Sequence, residues 1–100
     1  MTRRRGRRRW QAQSLPAAFR ARAVTLPPGG TRPYDEADWR GALVVVSRGE
    51  VELECLGGAR RRVARGDVLW LTGLPLRALH ARGPGPAVLL AISRRAGEGP

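Results

Sequence analysis

Lysine is absent from this 100-residue chain. All 19 basic residues are therefore arginine, and with 8 acids they give a net charge of +11. Arginine-only basic usage beside abundant Ala, Gly and Pro marks a GC-rich bacterial coding bias rather than a function. Cysteine occurs once, at Cys55, which excludes an intrachain disulfide and fits a reducing, cytoplasmic compartment. Histidine also occurs once, at His80. A lone imidazole with no placed Ser, Cys or Asp gives no catalytic triad. Aromatics make up 5% of the chain, so each of Trp39 and Trp70 is a notable side chain. No apolar run approaches ~18 residues, so no membrane-spanning helix is expected and no membrane partner is inferred.

Present instead are short apolar runs separated by Gly and Pro. From Leu43 to Leu71 the chain reads LVVVSRGEVELECLGGARRRVARGDVLWL. Turn signals at Arg48-Gly49, Gly57-Gly58 and Arg65-Gly66-Asp67 divide four runs rich in Val and Leu, the pattern of an antiparallel meander. Alternation puts Val44, Val46, Val51, Leu53 and Cys55 on one face and Glu50, Glu52 and Glu54 on the other. A hairpin at Arg48-Gly49 would oppose Val46 to Val51 and Val44 to Leu53. A three-residue loop, Gly57-Gly58-Ala59, would oppose Leu53 to Val63 and Glu54 to Arg62. Cys55 reads as a small core residue near a strand end. The Arg60-Arg61-Arg62 run reads as a solvated face, with an anion site as the alternative.

Upstream, FRARAVTL (19–26) alternates, with Arg20 and Arg22 on the same face as Val24 and Leu26. Pro27-Pro28-Gly29-Gly30 stops this strand. Downstream, Leu76 to His80 is a short strand and Gly83-Pro84-Gly85-Pro86 a turn. Ala87 to Ser93, apolar on both faces, is a final strand expected to lie centrally and to be covered on both sides. No helix of useful length fits. The expected fold is all-β: a small antiparallel β-barrel or double-sheet jelly roll.

The first 16 residues read as an Arg-rich disordered tail, residues 17–95 as the folded domain, and 96–100 as a flexible end. Arg3, Arg4, Arg5, Arg7, Arg8 and Arg9 carry six charges, and without them residues 11–100 keep 13 Arg against 8 acids. Weak, nonspecific nucleic-acid binding through this tail is one functional reading. No apolar segment follows the arginines, which excludes a twin-Arg export signal. A folding unit of ~80 residues buries roughly 60% of its unfolded surface, so homodimer formation would help it.

From Phe19 to Ser93 the chain resembles a small single-domain cupin. Cupins carry a first motif of the form G-x5-H-x-H-x3-E-x6-G, and Gly30, Glu36, Asp38, Ala42 and Gly49 fit its spacing without a gap. Their second motif, G-x5-P-x-G-x2-H-x3-N, aligns with Gly66, Thr72, Leu74, Arg77 and Ala81. The resemblance implies the barrel. It also implies that the three His and one Glu that hold the family's metal have become Glu36, Asp38, Ala42 and Arg77. Two carboxylates beside a permanent cation do not make a metal site, so neither metal nor cofactor is expected. Glu36, Asp38, Trp39, Trp70 and Arg77 are the candidates to line a ligand pocket. The guanidinium of Arg77 is expected to stand where the ion stood and to pair with Glu36 or Asp38. If Arg77 faces inward, His80 faces away. The expected function is a degenerate, metal-free, non-catalytic module binding a small ligand or a partner. The alternatives are a cupin-type isomerase or dioxygenase, using Glu36 or Asp38 as acid or base, and a nucleic-acid-associated protein.

Overall fold

The structure, a computed structural model, describes residues 17–94. The expected tail (1–16) and the expected flexible end (96–100) lie outside the described residues. Eight strands and one helical turn run in the order β1 (Phe19–Leu26), β2 (Thr31–Pro33), α1 (Glu36–Trp39), β3 (Leu43–Arg48), β4 (Glu50–Cys55), β5 (Arg60–Ala64), β6 (Val68–Trp70), β7 (Leu76–Ala81) and β8 (Ala87–Arg94). They form two four-stranded antiparallel sheets, β1-β8-β3-β6 and β2-β7-β4-β5. The chain is thus all-β, a double-sheet jelly roll, as expected. The turn after β1 places Pro28 and Gly29 at its centre, with Gly29 at φ 72° and Gly30 N–H donating to Pro27 O at 2.7 Å. A positive φ at the third residue is what glycine supplies there.

The meander expected from Leu43 to Leu71 is corrected by the pairing. β3 does not pair with β4; it pairs with β8, Val44 opposite Ala91 and Val46 opposite Leu89. β5 likewise does not pair with β6, which lies on β3. At both turns the chain crosses from one sheet to the other. Val44, Val46, Val51 and Leu53 still share the core, but they meet across it rather than side by side. Alternation specifies which side chains point inward; it does not specify which strand is the neighbour. Only β4 and β5 form the expected hairpin. Its loop is Leu56-Gly57-Gly58, closed by Cys55 N–H to Ala59 O at 2.8 Å. The register is therefore shifted by two residues from the expected one, with Leu53 opposite Arg61 and Glu54 opposite Arg60. A shift of two preserves the faces, so the three glutamates remain outside.

Gly49 makes the first crossing possible. Its φ is 79°, and a Cβ there would lie 2.4 Å from Pro86 O. The other glycine-rich turns are more open; Gly57 would meet nothing within 4 Å.

β8 lies between β1 and β3, as expected for a strand apolar on both faces. Its inward residues Ala87, Leu89 and Ala91 are buried. Its outward residues Val88, Leu90 and Ile92 remain half-buried, because the second sheet covers one face only. The expected cover on both sides is not provided by the described residues. The outer face continues without a charge through cross-strand rows: Ala21, Ile92, Leu43 and Trp70 in one, Ala23, Leu90, Val45 and Val68 in the next.

Gly49→Ala is expected to destabilise the fold by about 2–4 kcal/mol, from the left-handed backbone and the contact with Pro86. Gly57→Ala should cost about 1 kcal/mol or less. Urea denaturation of the two variants checks the difference.

Candidate functional site

One end of the barrel is closed by α1. Asp35 caps this turn, its Oδ1 accepting from Ala37 N–H at 3.0 Å, which satisfies one of the free donors of a helix start. The turn ends before Gly41, at φ 70°. It is tied to the β6–β7 loop through Thr72, whose hydroxyl accepts from Gly41 N–H at 3.3 Å and donates to Trp39 O at 3.5 Å. This geometry drives Trp39 into the core, where it is 0% exposed. The indole is the largest fully buried side chain and packs with the other core residues.

Two arginines stand over it. Arg22 of β1 places its guanidinium carbon 5.4 Å from the Trp39 ring centroid, and Arg32 of β2 places its own at 6.0 Å, both within cation–π range. Asp38 holds them: its carboxylate pairs with Arg32 Nη2 at 3.2 Å, and its backbone carbonyl accepts from Arg22 Nη2. Arg32 Nε and Trp39 Nε1 are buried and have no hydrogen-bond partner among the described residues. The cluster therefore carries two cations, one carboxylate and two unpaired buried donors.

The five pocket candidates separate. Asp38 and Trp39 belong to this cluster. Glu36 shares the turn but pairs with Arg40 at 3.8 Å, both largely in solvent. Trp70 is 53% exposed on the outer face of the first sheet. Arg77 lies on the outer face of the second sheet, with Nε 3.7 Å from Glu54 Oε2 and Nη2 donating to Leu56 O at 3.3 Å. The expected meeting of Arg77 with Glu36 or Asp38 is thus corrected. The reason is a β-bulge: Cys55 pairs with Leu76 and Glu54 with Ala78, which leaves Arg77 as the extra residue. A bulge resets the alternation, so Arg77 points outward although Leu79 and Ala81 point inward.

The family's metal positions do not fit an ion here. Glu36 faces solvent, Asp38 is engaged by Arg32, Ala42 is core, and Arg77 is on an outer face. Among the described residues no three His, Cys, Asp or Glu side chains come together as a metal would need.

The outer face of the second sheet carries a charge network. Glu52 accepts from Arg60 and Arg82, each at 2.9 Å, and Glu50 accepts from Arg62 at 3.2 Å. His80 lies outward with Nε2 2.8 Å from Glu54 Oε1 and Nδ1 2.9 Å from Thr31 Oγ1; the expected opposition to Arg77 is corrected, because the bulge puts both side chains on the same face. An ionised carboxylate only accepts, so Nε2 carries the proton toward Glu54, and in neutral imidazole Nδ1 accepts from the Thr31 hydroxyl. The order hydroxyl–imidazole–carboxylate matches a hydrolytic triad, and it lies on the outer face of the β2-β7-β4-β5 sheet. A shallow concavity lies at the Arg48 end of β3, away from α1, among Arg48, Glu50, Arg65, Pro84 and Pro86. Arg60, Arg61 and Arg62 are all exposed, Arg60 and Arg62 opposite the outward glutamates and Arg61 opposite Leu53.

Sequence reasoning missed Arg22 and Arg32. Arg22 was findable, because alternation sets it on the inward face with Val24 and Leu26. Arg32 was not, since its place depends on pairing with Leu79 in β7. The Thr31–His80–Glu54 chain needs the β2-β7-β4 order and had no local signal.

No protein-family model matches the chain, and no curated protein matches it by sequence. Solved structures do match in fold. The Cupin_2 domain of an XRE-family transcriptional regulator from Enterobacter cloacae superposes with a TM-score of 0.54 at 21% identity, covering 75% of this chain and 79% of that one. A Cupin 2 conserved barrel domain protein from Salinispora arenicola gives 0.57 at 22%, over 83% and 68%. The DMSP lyase DddQ from Ruegeria pomeroyi gives 0.56 at 21%; 83% of this chain spans only 41% of the lyase.

The hydrogen bond from His80 and the charges of Arg60 and Arg77 hold Glu54 below the usual carboxylate range, against a smaller upward effect of burial. The Arg82 and Arg60 hydrogen bonds do the same for Glu52. A carboxylate whose pKa is depressed on folding contributes stability above its unfolded value, near 4.5, and loses it as pH falls through the folded value. Stability should therefore drop on acidification below that point, and the Glu52→Gln/Glu54→Gln double variant should show a shallower drop. Denaturation midpoints measured across this range check it.

Taken with the two-sheet topology and the closed barrel end, these superpositions show that the chain has the cupin fold.

Proposed function

We propose that this chain is a metal-free, non-catalytic cupin-fold module that binds a small ligand at the Trp39 end of the barrel. The observation that carries this is the pair of buried donors, Arg32 Nε and Trp39 Nε1, left without acceptors. An unpaired buried donor costs about 1–3 kcal/mol, a cost that a bound acceptor removes. The absence of a fitting ligand set at the family's metal positions supports the metal-free part. An isomerase or dioxygenase reading needs a free acid or base facing a cavity, and Glu36 and Asp38 are each paired with an arginine. A nucleic-acid role would rest on Arg3 to Arg9, which lie outside the described residues. A cytoplasmic location fits the free Cys55, and no described helix is long and apolar enough to cross a membrane.

The ligand reading predicts that a small molecule is released when the purified protein is denatured and read by mass spectrometry. It also predicts that the Trp39→Phe variant releases less. Solvent alone from the parent at full protein recovery contradicts it.

The same reading assigns a second copy of this chain as partner, seated on the outer face of the β1-β8-β3-β6 sheet. Four strands about 4.8 Å apart and the two charge-free rows give roughly 250 Å² of apolar surface, bordered by Arg48 on one side and Arg94 on the other. Leu43, Val68 and Trp70 there are 41%, 54% and 53% exposed. In a two-fold contact the patch meets itself. With no charge in these rows, two copies of a +11 chain meet without like-charge repulsion at the contact. A standard interface covers about 800 Å² per partner, so the contact is moderate in strength. Trp70→Asp is expected to convert dimer to monomer in light scattering at about 100 μM chain, a concentration that a micromolar dimer saturates. A parent that is monomeric there contradicts the pairing.

A further inference from the structure

The two buried side-chain atoms at the Trp39 end that lack a partner among the described residues, Arg32 Nε and Trp39 Nε1, are both donors. Indole nitrogen donates and never accepts, and a guanidinium has five donors and no acceptor. The acceptor in contact with them, Asp38, is turned to other donors: its Oδ2 faces Arg32 Nη2, and its carbonyl faces Arg22 Nη2. A neutral donor or a cation cannot complete the cluster. What is missing is an acceptor, and the side chains in direct contact with the ring and with Asp38 are the guanidiniums of Arg22 and Arg32, beside which a negative acceptor is favoured.

Resting on the ligand-binding reading above, we propose that Trp39 Nε1, Arg32 Nε and the Arg22 guanidinium form the seat of a small oxyanion, a carboxylate or a phosphate group. Charge-assisted hydrogen bonds from a guanidinium to an oxyanion are shorter and stronger than neutral ones. The indole N–H beside them adds a direction that a surface arginine lacks. Arg22 is exposed and held by one carbonyl and the ring face, so it is the side chain that has to lift to admit a ligand. Arg32 is anchored more firmly, with 36% of its side chain exposed and Nε buried. A water molecule would accept from both donors but would bring two donors of its own and leave the extra positive charge in place. In this site cationic side chains surround a place for an anion.

The test is isothermal titration of the full chain with sodium acetate and, separately, inorganic phosphate, at constant ionic strength in chloride. The proposal expects saturable binding of one equivalent of at least one of the two, with a dissociation constant in the millimolar range or below, as a single small group provides. Trp39→Phe keeps a ring in the core and removes the N–H. Arg32→Lys keeps the charge and removes Nε–H. Each should weaken binding at least about tenfold, equivalent to about 1.4 kcal/mol. Arg60→Gln, which removes a charge from the outer sheet, should leave binding unchanged. Arg22→Gln gives an independent reading should Trp39→Phe fail to fold. Acetate preferred over phosphate identifies a carboxylate ligand, and the reverse a phosphate. No saturation by either anion overturns the proposal, as does equal weakening by Arg60→Gln, which would mean diffuse attraction to a basic protein. A neutral molecule released on denaturation, with no anion bound, would overturn the anion alone and leave the ligand-binding reading standing.

Discussion

The complete burial of Trp39 is the constraint on which this end of the molecule depends. Burying so large a ring removes 150–250 Å² from water, and truncating it would cost about 3–5 kcal/mol. That burial fixes α1, because a single turn carried on Asp35 and stopped before Gly41 sets the ring against β1, β2 and the β6–β7 loop. It also brings an N–H into the interior with no acceptor to meet it. Arg22 and Arg32 then stack above the ring, and Asp38, adjacent in sequence, is left to hold both. Packing, charge and the unpaired donor are consequences of one placement.

The same fold elsewhere tolerates different contents because the barrel frame and the side chains at its end are separable. Here the frame is kept by short-range devices: the Pro28-Gly29 turn, Gly49 passing against Pro86, and the bulge at Arg77. The bulge matters for chemistry as well as shape. By placing Arg77 outside, it frees the barrel end of the one residue expected to replace the ion. The cationic character of that end comes instead from β1 and β2, the edge strands of the two sheets.

Alternation made the shared inward face of β3 and β4 legible, and with it Val44, Val46, Val51 and Leu53; in β8, apolar on both faces, it left open which side Leu89 and Ala91 take. Glycine and proline marked the turns. Neither signal distinguishes a hairpin from a crossing between sheets, so β3–β4 and β5–β6 were misread as neighbours while their residues were correctly placed in the core. The two-residue shift at Leu56-Gly57-Gly58 escaped notice because it leaves the faces intact. The cupin spacing singled out Asp38, and the scarcity of aromatics singled out Trp39, but neither singled out the arginines that meet them. Arg32, Thr31 and the partner of Arg77 depended on long-range register and on a bulge, which no local pattern announces.

The central claim is that the Trp39 indole N–H is a buried donor awaiting an anionic acceptor. The indole region of a proton–nitrogen correlation spectrum, with the Trp39 signal assigned by its loss in Trp39→Phe, tests this directly. The account predicts a Trp39 signal that exchanges slowly with solvent and moves on addition of acetate or phosphate, while Trp70, exposed on the outer sheet face, stays in place. A Trp39 signal that exchanges as fast as that of Trp70, or that ignores both anions while the protein remains folded, would contradict it.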